Sequence, residues 1–246
     1  MDRRVNRRRR IRRLLFVGLL AAASIVATPA ASASELDPMV EVRSPAGLAP
    51  DAQSVLVELT VFCPENRTVE QAGVSVAQPQ ASGHAALPVL CDGVARYVTV
   101  AVPSDGGQFV TGSAQVSAVL AVRQGRAKEV RDSAQVPVEP LVNVTVASQA
   151  RLDGGGEAVL IDVTAACPAS SAGQLSDVWV FKYPAHGMGT FTPTCDGRPH
   201  TATVTVPAAN EPFPVGSGFA SSTVRIQEDG VTFSGQDFHD VEITPG

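Results

Sequence analysis

Along residues 38–137 apolar and polar side chains alternate in short runs separated by Asp-Gly steps. Val55, Val57, Leu59 and Val61 alternate with Leu56, Glu58, Thr60 and Phe62, and Val98, Val100 and Val102 alternate with Thr99 and Ala101. Further on, Thr201, Thr203 and Thr205 alternate with Ala202, Val204 and Val206. A period of two in segments rich in Val and Thr marks half-buried strands. Asp92-Gly93, Asp105-Gly106, Asp153-Gly154, Asp196-Gly197 and Asp229-Gly230 supply turns, since aspartate bonds its local backbone and glycine tolerates positive φ. The pattern predicts seven strands, at 38–43, 53–63, 72–78, 85–90, 96–102, 112–122 and 127–137. Beyond the N-terminal segment no window sustains a helical period. Seven short strands in about 100 residues is the pattern of an immunoglobulin-like β-sandwich. A closed barrel is the runner-up.

The pattern then repeats at an offset of 104 residues. Val55-Leu56-Val57-Glu58-Leu59-Thr60 aligns with Val159-Leu160-Ile161-Asp162-Val163-Thr164, and Cys63-Pro64 with Cys167-Pro168. Cys91-Asp92-Gly93 aligns with Cys195-Asp196-Gly197, Pro103 with Pro207, and Gly112-Ser113 with Gly216-Ser217, with no gap expected anywhere along the register. A period of this length is a whole domain rather than a solenoid unit. The chain therefore reads as all-β: two tandem immunoglobulin-like domains, residues 34–139 and 140–246, behind an N-terminal segment, 1–33. The boundary is expected near Glu139-Pro140, where proline interrupts strand pairing.

Each repeat holds two cysteines 28 residues apart, Cys63 and Cys91, then Cys167 and Cys195. Four cysteines allow three connectivities. The repeat favours Cys63–Cys91 and Cys167–Cys195, because each domain is then stapled on its own. Closing a loop of about 29 residues stabilises by roughly 3–4 kcal/mol in the chain-entropy model. Zinc would need close Cys-x-x-Cys pairs, so no metal is expected. Because the second cysteine precedes the strand at 96–102, the bridge differs from the antibody one, which joins two central strands around a tryptophan.

A strand ending in Cys-Pro, a Cys-Asp-Gly turn, a Val/Thr strand and then Gly-Ser together resemble an uncharacterised immunoglobulin-like domain family of secreted actinobacterial proteins. Cys-Asp-Gly-x-x-His is common in that family. The second repeat keeps it as Cys195-Asp196-Gly197-Arg198-Pro199-His200, whereas the first has Arg96 at the histidine position. The resemblance covers both repeats. It implies secretion and the sandwich fold, and it implies no activity.

The N-terminal segment changes the charge picture. Eight arginines lie within Met1–Arg13, the uncharged apolar run Leu14–Ala27 follows, and Ala31-Ser32-Ala33 provides a cleavage signal. This is the order of a secretory signal peptide, and the apolar run is shorter than a membrane span. The whole chain has 19 Lys+Arg and 24 Asp+Glu; without the eight arginines and Asp2 of the signal, 11 and 23 remain, a formal charge of −12. So acidic a mature chain repels nucleic-acid phosphates and anionic membranes. Secretion, with release or non-covalent surface attachment, is the expected location. Glycosylation acceptor patterns at Asn66 and Asn143 read as chance matches in a bacterial protein.

Candidate chemistry is sparse. Gly-x-Ser-x-Gly is absent, and Gly216-Ser217-Gly218 reads as a strand start. Asp153-Gly154-Gly155-Gly156 lacks the lysine of a phosphate loop. Asp237 and Asp240 near His239 read as a solvated terminal strand rather than a calcium loop. His84, His186 and His200 make no ligand spacing. No catalytic residue and no cofactor is expected. One difference between the repeats stands out. Trp179, Phe181 and Tyr183 lie at i, i+2 and i+4, where the first repeat has Ser75, Ala77 and Pro79. If Val178 and Val180 face the core, the three aromatics form an outward row, and exposed aromatic patches mark binding surfaces. The function expected is a secreted non-enzymatic binding or structural module, with a glycan or a cell-surface protein as partner. The alternative is an enzyme or inhibitor using a loop of the second repeat. The oligomeric state is left open.

Overall fold

The computed structural model describes residues 36–246, so the proposed signal peptide, 1–33, lies outside the described residues. Eight strands form in the first repeat: β1 (Met39–Val42), β2 (Ala46–Leu48), β3 (Ser54–Phe62), β4 (Thr68–Gln78), β5 (Ala81–Ala86), β6 (Arg96–Gly106), β7 (Gly112–Gln124) and β8 (Arg126–Pro140). Eight more form in the second: β9 (Asn143–Asp153), β10 (Ala158–Ala166), β11 (Ala172–Gly173), β12 (Ser176–Lys182), β13 (Ala185–Phe191), β14 (His200–Pro207), β15 (Gly216–Glu228) and β16 (Val231–Thr244). The fold is all-β, with one 3-10 turn at Gly154–Gly156 among the described residues. No helix among them is long and apolar enough to cross a membrane.

Strand pairing keeps the two repeats in separate sheets. The first runs β1-β3-β2-β8-β7-β4-β5-β6, and β3 also pairs with β6, which closes the sheet on itself. The second runs β13-β12-β15-β16-β9-β10-β14, and its ends meet through a single bridge, Gly187 to Ala208. Both are sandwich- or barrel-like. In each, a strand near the start pairs parallel to the last: Ala46 with Val138, and Gln149 with Glu242.

The alternation seen in the sequence builds the cores. Val55, Val57 and Leu59 are fully buried in the first, and Val159, Ile161 and Val163 in the second. Burying each such side chain contributes about 1.5–3 kcal/mol. Phe109 and its repeat mate Phe213 are also buried. Both disulfides join the favoured pairs, Cys63–Cys91 and Cys167–Cys195, and no described cysteine is free. Each bridge ties the end of one strand to the loop before its antiparallel neighbour, β3 to β6 and β10 to β14.

Four expectations change. The strand placed at 85–90 lies at Ala81–Ala86 instead. Leu87, Val89 and Leu90 imitate a strand, but Pro88 has no N–H for a ladder, and the true strand is built of small residues. β2 was not expected; its three residues are too few to show a period. The ungapped register ends at the β7–β8 hairpin. There Gln124 pairs directly with Arg126 around Gly125, whereas Glu228 pairs with Val231 around Asp229 (φ 50) and Gly230 (φ 80), a two-residue type I′ turn. From that point the offset is 105: the buried pair Val136 and Val138 corresponds to Val241 and Ile243. Pro140 does not interrupt the pairing either. It lies opposite Leu48, and the N–H of Leu141 donates to the Leu48 carbonyl at 2.9 Å.

The repeats are tied by a carboxylate. Glu228, at the end of β15, is buried and accepts hydrogen bonds from Thr111 Oγ1 of the first repeat at 2.7 Å and Ser171 Oγ of the second at 2.8 Å. Beside it, a cleft of about 450 Å³ is lined from both repeats, by Asp51 and Thr111 and by Asp196, Arg198 and Glu228.

Candidate binding face

Val178 and Val180 are fully buried on β12, so Trp179 and Phe181 point outward, 36% and 45% exposed. Their rings lie 6.0 Å apart with planes 10° from parallel. Tyr183 falls just beyond the end of β12 and is 94% exposed. Across the ladder from Phe181 stands His186 of β13, with its ring 6.2 Å away.

Cross-strand register widens the row into a face. Trp179 lies between Met188 on β13 and Ser221 on β15, and Ser221 is followed by Phe238 on β16. The next tier runs His186, Phe181, Phe219, Asp240. Phe219 and Phe238 stack at 6.3 Å, and Met188, Phe219 and Phe238 are all exposed. The face is therefore an apolar platform across four strands. Sequence reasoning missed Met188, Phe219 and Phe238. The usable signal was the alternation of Phe219 with buried Ala220, but which strands are neighbours cannot be read from alternation. Asp177 and Arg225 pair at one edge of the platform.

At the corresponding place the first repeat is hollow. Ser75, His84, Ser117 and Ser133 replace Trp179, Met188, Ser221 and Phe238 on the ladder β5-β4-β7-β8. With the bulk removed, a trough of about 660 Å³ opens there.

The Cys-Asp-Gly motif proves to be a turn device. In the second repeat Asp196 Oδ1 accepts the backbone N–H of Arg198 at 2.9 Å and the Nε2 of His200 at 2.8 Å. These contacts, the His200 bond first and the Arg198 N–H second, hold the Asp196 carboxyl below its ordinary value. Gly197, at φ 83, donates to the Cys167 carbonyl. In the first repeat Asp92 accepts the Val94 N–H, Gly93 donates to Cys63, and Arg96 pairs with Asp92 in place of the histidine. His200 and Arg96 thus do the same work, each bonded to the aspartate four residues before it. His84 pairs with Asp105. Asp237 accepts the Val146 N–H at 2.8 Å, and Asp132 does the same for Val42 in the first repeat. Among the described residues no group of three or more His, Cys, Asp or Glu is placed to hold a metal ion.

No family model and no curated protein matches the chain. Among solved structures, the crystal structure of the YadV chaperone aligns with 82% of this chain and 100% of its own, at 10% identity and a TM-score of 0.23.

Proposed function

We propose that this chain is an exported, non-enzymatic binding module made of two immunoglobulin-like domains, residues 34–139 and 140–246, whose aromatic face on the second repeat engages a glycan or a protein at the cell exterior. The observation that carries the reading is the platform of Trp179, Phe181, Met188, Phe219 and Phe238, left exposed on one repeat and replaced by small or polar residues on the other. A soluble chain keeps large rings on its surface at a cost in solubility, so a contiguous patch of them points to a ligand. Two disulfides fit an oxidising environment. The N-terminal order of arginines, apolar run and Ala-x-Ala supports export. The Cys195–His200 motif supports kinship with the secreted actinobacterial domains.

Trp179 is the single tryptophan of the chain, so its fluorescence reports this face alone. The mature protein is titrated with cell-wall glycan fragments and with intact producer cells. Saturable change in Trp179 emission, lost in the Trp179→Ala/Phe181→Ala variant, supports the reading. Acrylamide quenching no stronger than for a buried indole, or retention on cells unchanged by the double substitution, defeats it.

A further inference from the structure

The aromatic face of the second repeat is also an acidic one. On β16, Phe238, Asp240 and Glu242 follow one another at every second residue, so they share one side of the strand, and all three are exposed. Asp240 stands directly opposite Phe219, which pairs in turn with Phe181. Among the described residues Asp240 makes no hydrogen bond and no ion pair. Glu242 accepts the Ser217 hydroxyl at 2.7 Å and has no cation paired with it. The basic groups nearby are placed elsewhere. Arg225 pairs with Asp177, Lys182 donates to the Ser217 carbonyl, and His186 stacks on Phe181. Arg151 lies on β9 opposite Thr244, four residues past Asp240. The face is therefore a set of rings with an uncompensated negative edge.

Rings and acids differ between the repeats together. The cross-strand pair Phe219–Asp240 corresponds to Gln115–Gln135 in the first repeat, and Phe238 and Glu242 correspond to Ser133 and Pro137. A neutral ligand laid over these rings would strip water from Asp240 and leave its charge unpaired, which is costly. A cation meets the opposite balance: ring faces attract it, and the carboxylate gives it a charge-assisted hydrogen bond. Lysine and arginine suit both halves of the face, since they lay an apolar stem along rings and keep the charged head at a polar edge. Long-range charge acts in the same direction. Without residues 1–33 the chain has 11 basic and 23 acidic residues, a formal charge of −12 that draws basic partners in. Four strands span roughly 14 Å, the reach of about four extended residues.

We infer that the occupant of the aromatic face is a short basic segment of another protein, with a lysine or arginine stem lying over Phe219 and its head at Asp240. This rests on the proposed reading of the face as a binding surface and chooses between its two kinds of partner. Trp179, Phe181 and Phe238 supply the apolar contact, and Asp240 supplies the selection for positive charge.

The test titrates the full mature chain with three probes: a short peptide alternating lysine and leucine, the same peptide with its lysines acetylated, and a neutral N-acetylglucosamine oligomer. The lysine peptide is expected to change Trp179 emission saturably, and acetylation to weaken its binding roughly tenfold or more. That comparison needs no variant, so it stands whatever a substitution does to folding. Asp240→Asn is expected to weaken the lysine peptide roughly tenfold and to leave the acetylated one unchanged. Asp229→Asn removes the same charge at the tip of the β15–β16 hairpin, away from the rings, and is expected to change neither. Equal binding of the two peptides overturns the inference. So does lysine-peptide binding that survives Trp179→Ala/Phe181→Ala, followed by anisotropy of a labelled peptide, since overall charge rather than this face would then hold it. A Trp179 response to the sugar oligomer and none to the lysine peptide removes this inference and leaves the proposed function standing. No response to any probe, with retention on cells unchanged by the double substitution, removes both.

Discussion

At the scale of single residues, the Asp-Gly turn after the second cysteine explains a substitution that the motif alone made puzzling. Arg96 and His200 are chemically different, yet each clamps the aspartate four residues before it. His200→Arg is therefore expected to leave the melting temperature unchanged, and His200→Ala to lower it, as differential scanning calorimetry would show. The same site gives a pH dependence whose direction follows from linkage. Folding lowers the Asp196 pKa from a value of 3.8, first through the His200 bond and then through the Arg198 N–H. Its contribution is then complete above the unfolded value and fades as the pH falls through the lower folded one. Melting curves of wild type and Asp196→Asn should differ at neutral pH and converge in acid, once the Asp196 carboxyl is protonated in the folded as well as the unfolded chain. A gap that stays constant down to that acidity would mean that the carboxylate charge plays no part.

At the scale of elements, each repeat relies on a glycine, rather than on a hydrophobic pattern, where two strands approach most closely. A Cβ on Gly83 would run into the carbonyl oxygen of Pro103, and one on Gly187 into that of Pro207, the equivalent place in the other repeat. Side-chain-free backbone is what lets β5 approach β6, and β13 approach β14, at the seam. Gly187→Ala is expected to destabilise by about 1–3 kcal/mol, since the obstacle is backbone and not a flexible side chain; chemical denaturation would measure it. This also explains what the sequence could disclose. Long strands with valine at every second position, such as β3 and β10, announced themselves, as did the cysteine pairing. β5, Ala-Ser-Gly-His-Ala-Ala, had no apolar period to announce, so its place was taken by the nearby leucines. The aromatic face was half legible. Trp179 and Phe181 followed from alternation on one strand, while Met188, Phe219 and Phe238 join them only through pairing register. Tyr183 joins the row by its spacing alone, and it drops out because β12 ends one residue before it.

At the scale of the whole molecule, the two repeats meet through a buried charge held by hydroxyls from both sides. Hydrogen bonds to a charged group contribute about 1.5–3 kcal/mol, and hydroxyls stripped of their acceptor in a buried setting add a further cost. Glu228→Ala is expected to lower stability by roughly that amount. It should also widen the distribution of inter-repeat distances seen by small-angle scattering, while both disulfides stay intact. An unchanged scattering profile would assign Glu228 to the stability of its own hairpin alone.

The lengthened hairpin that carries Glu228 gives the tandem a polarity. Its counterpart in the upstream repeat turns around a single glycine and offers no acid at that place: Gln124 stands where Glu228 would be. The downstream half therefore supplies the latch and the upstream half the keeper, Thr111. Exchanging the order of the halves would leave the latch with nothing ahead of it to engage, and duplicating the upstream half would add a link that cannot lock onto its predecessor.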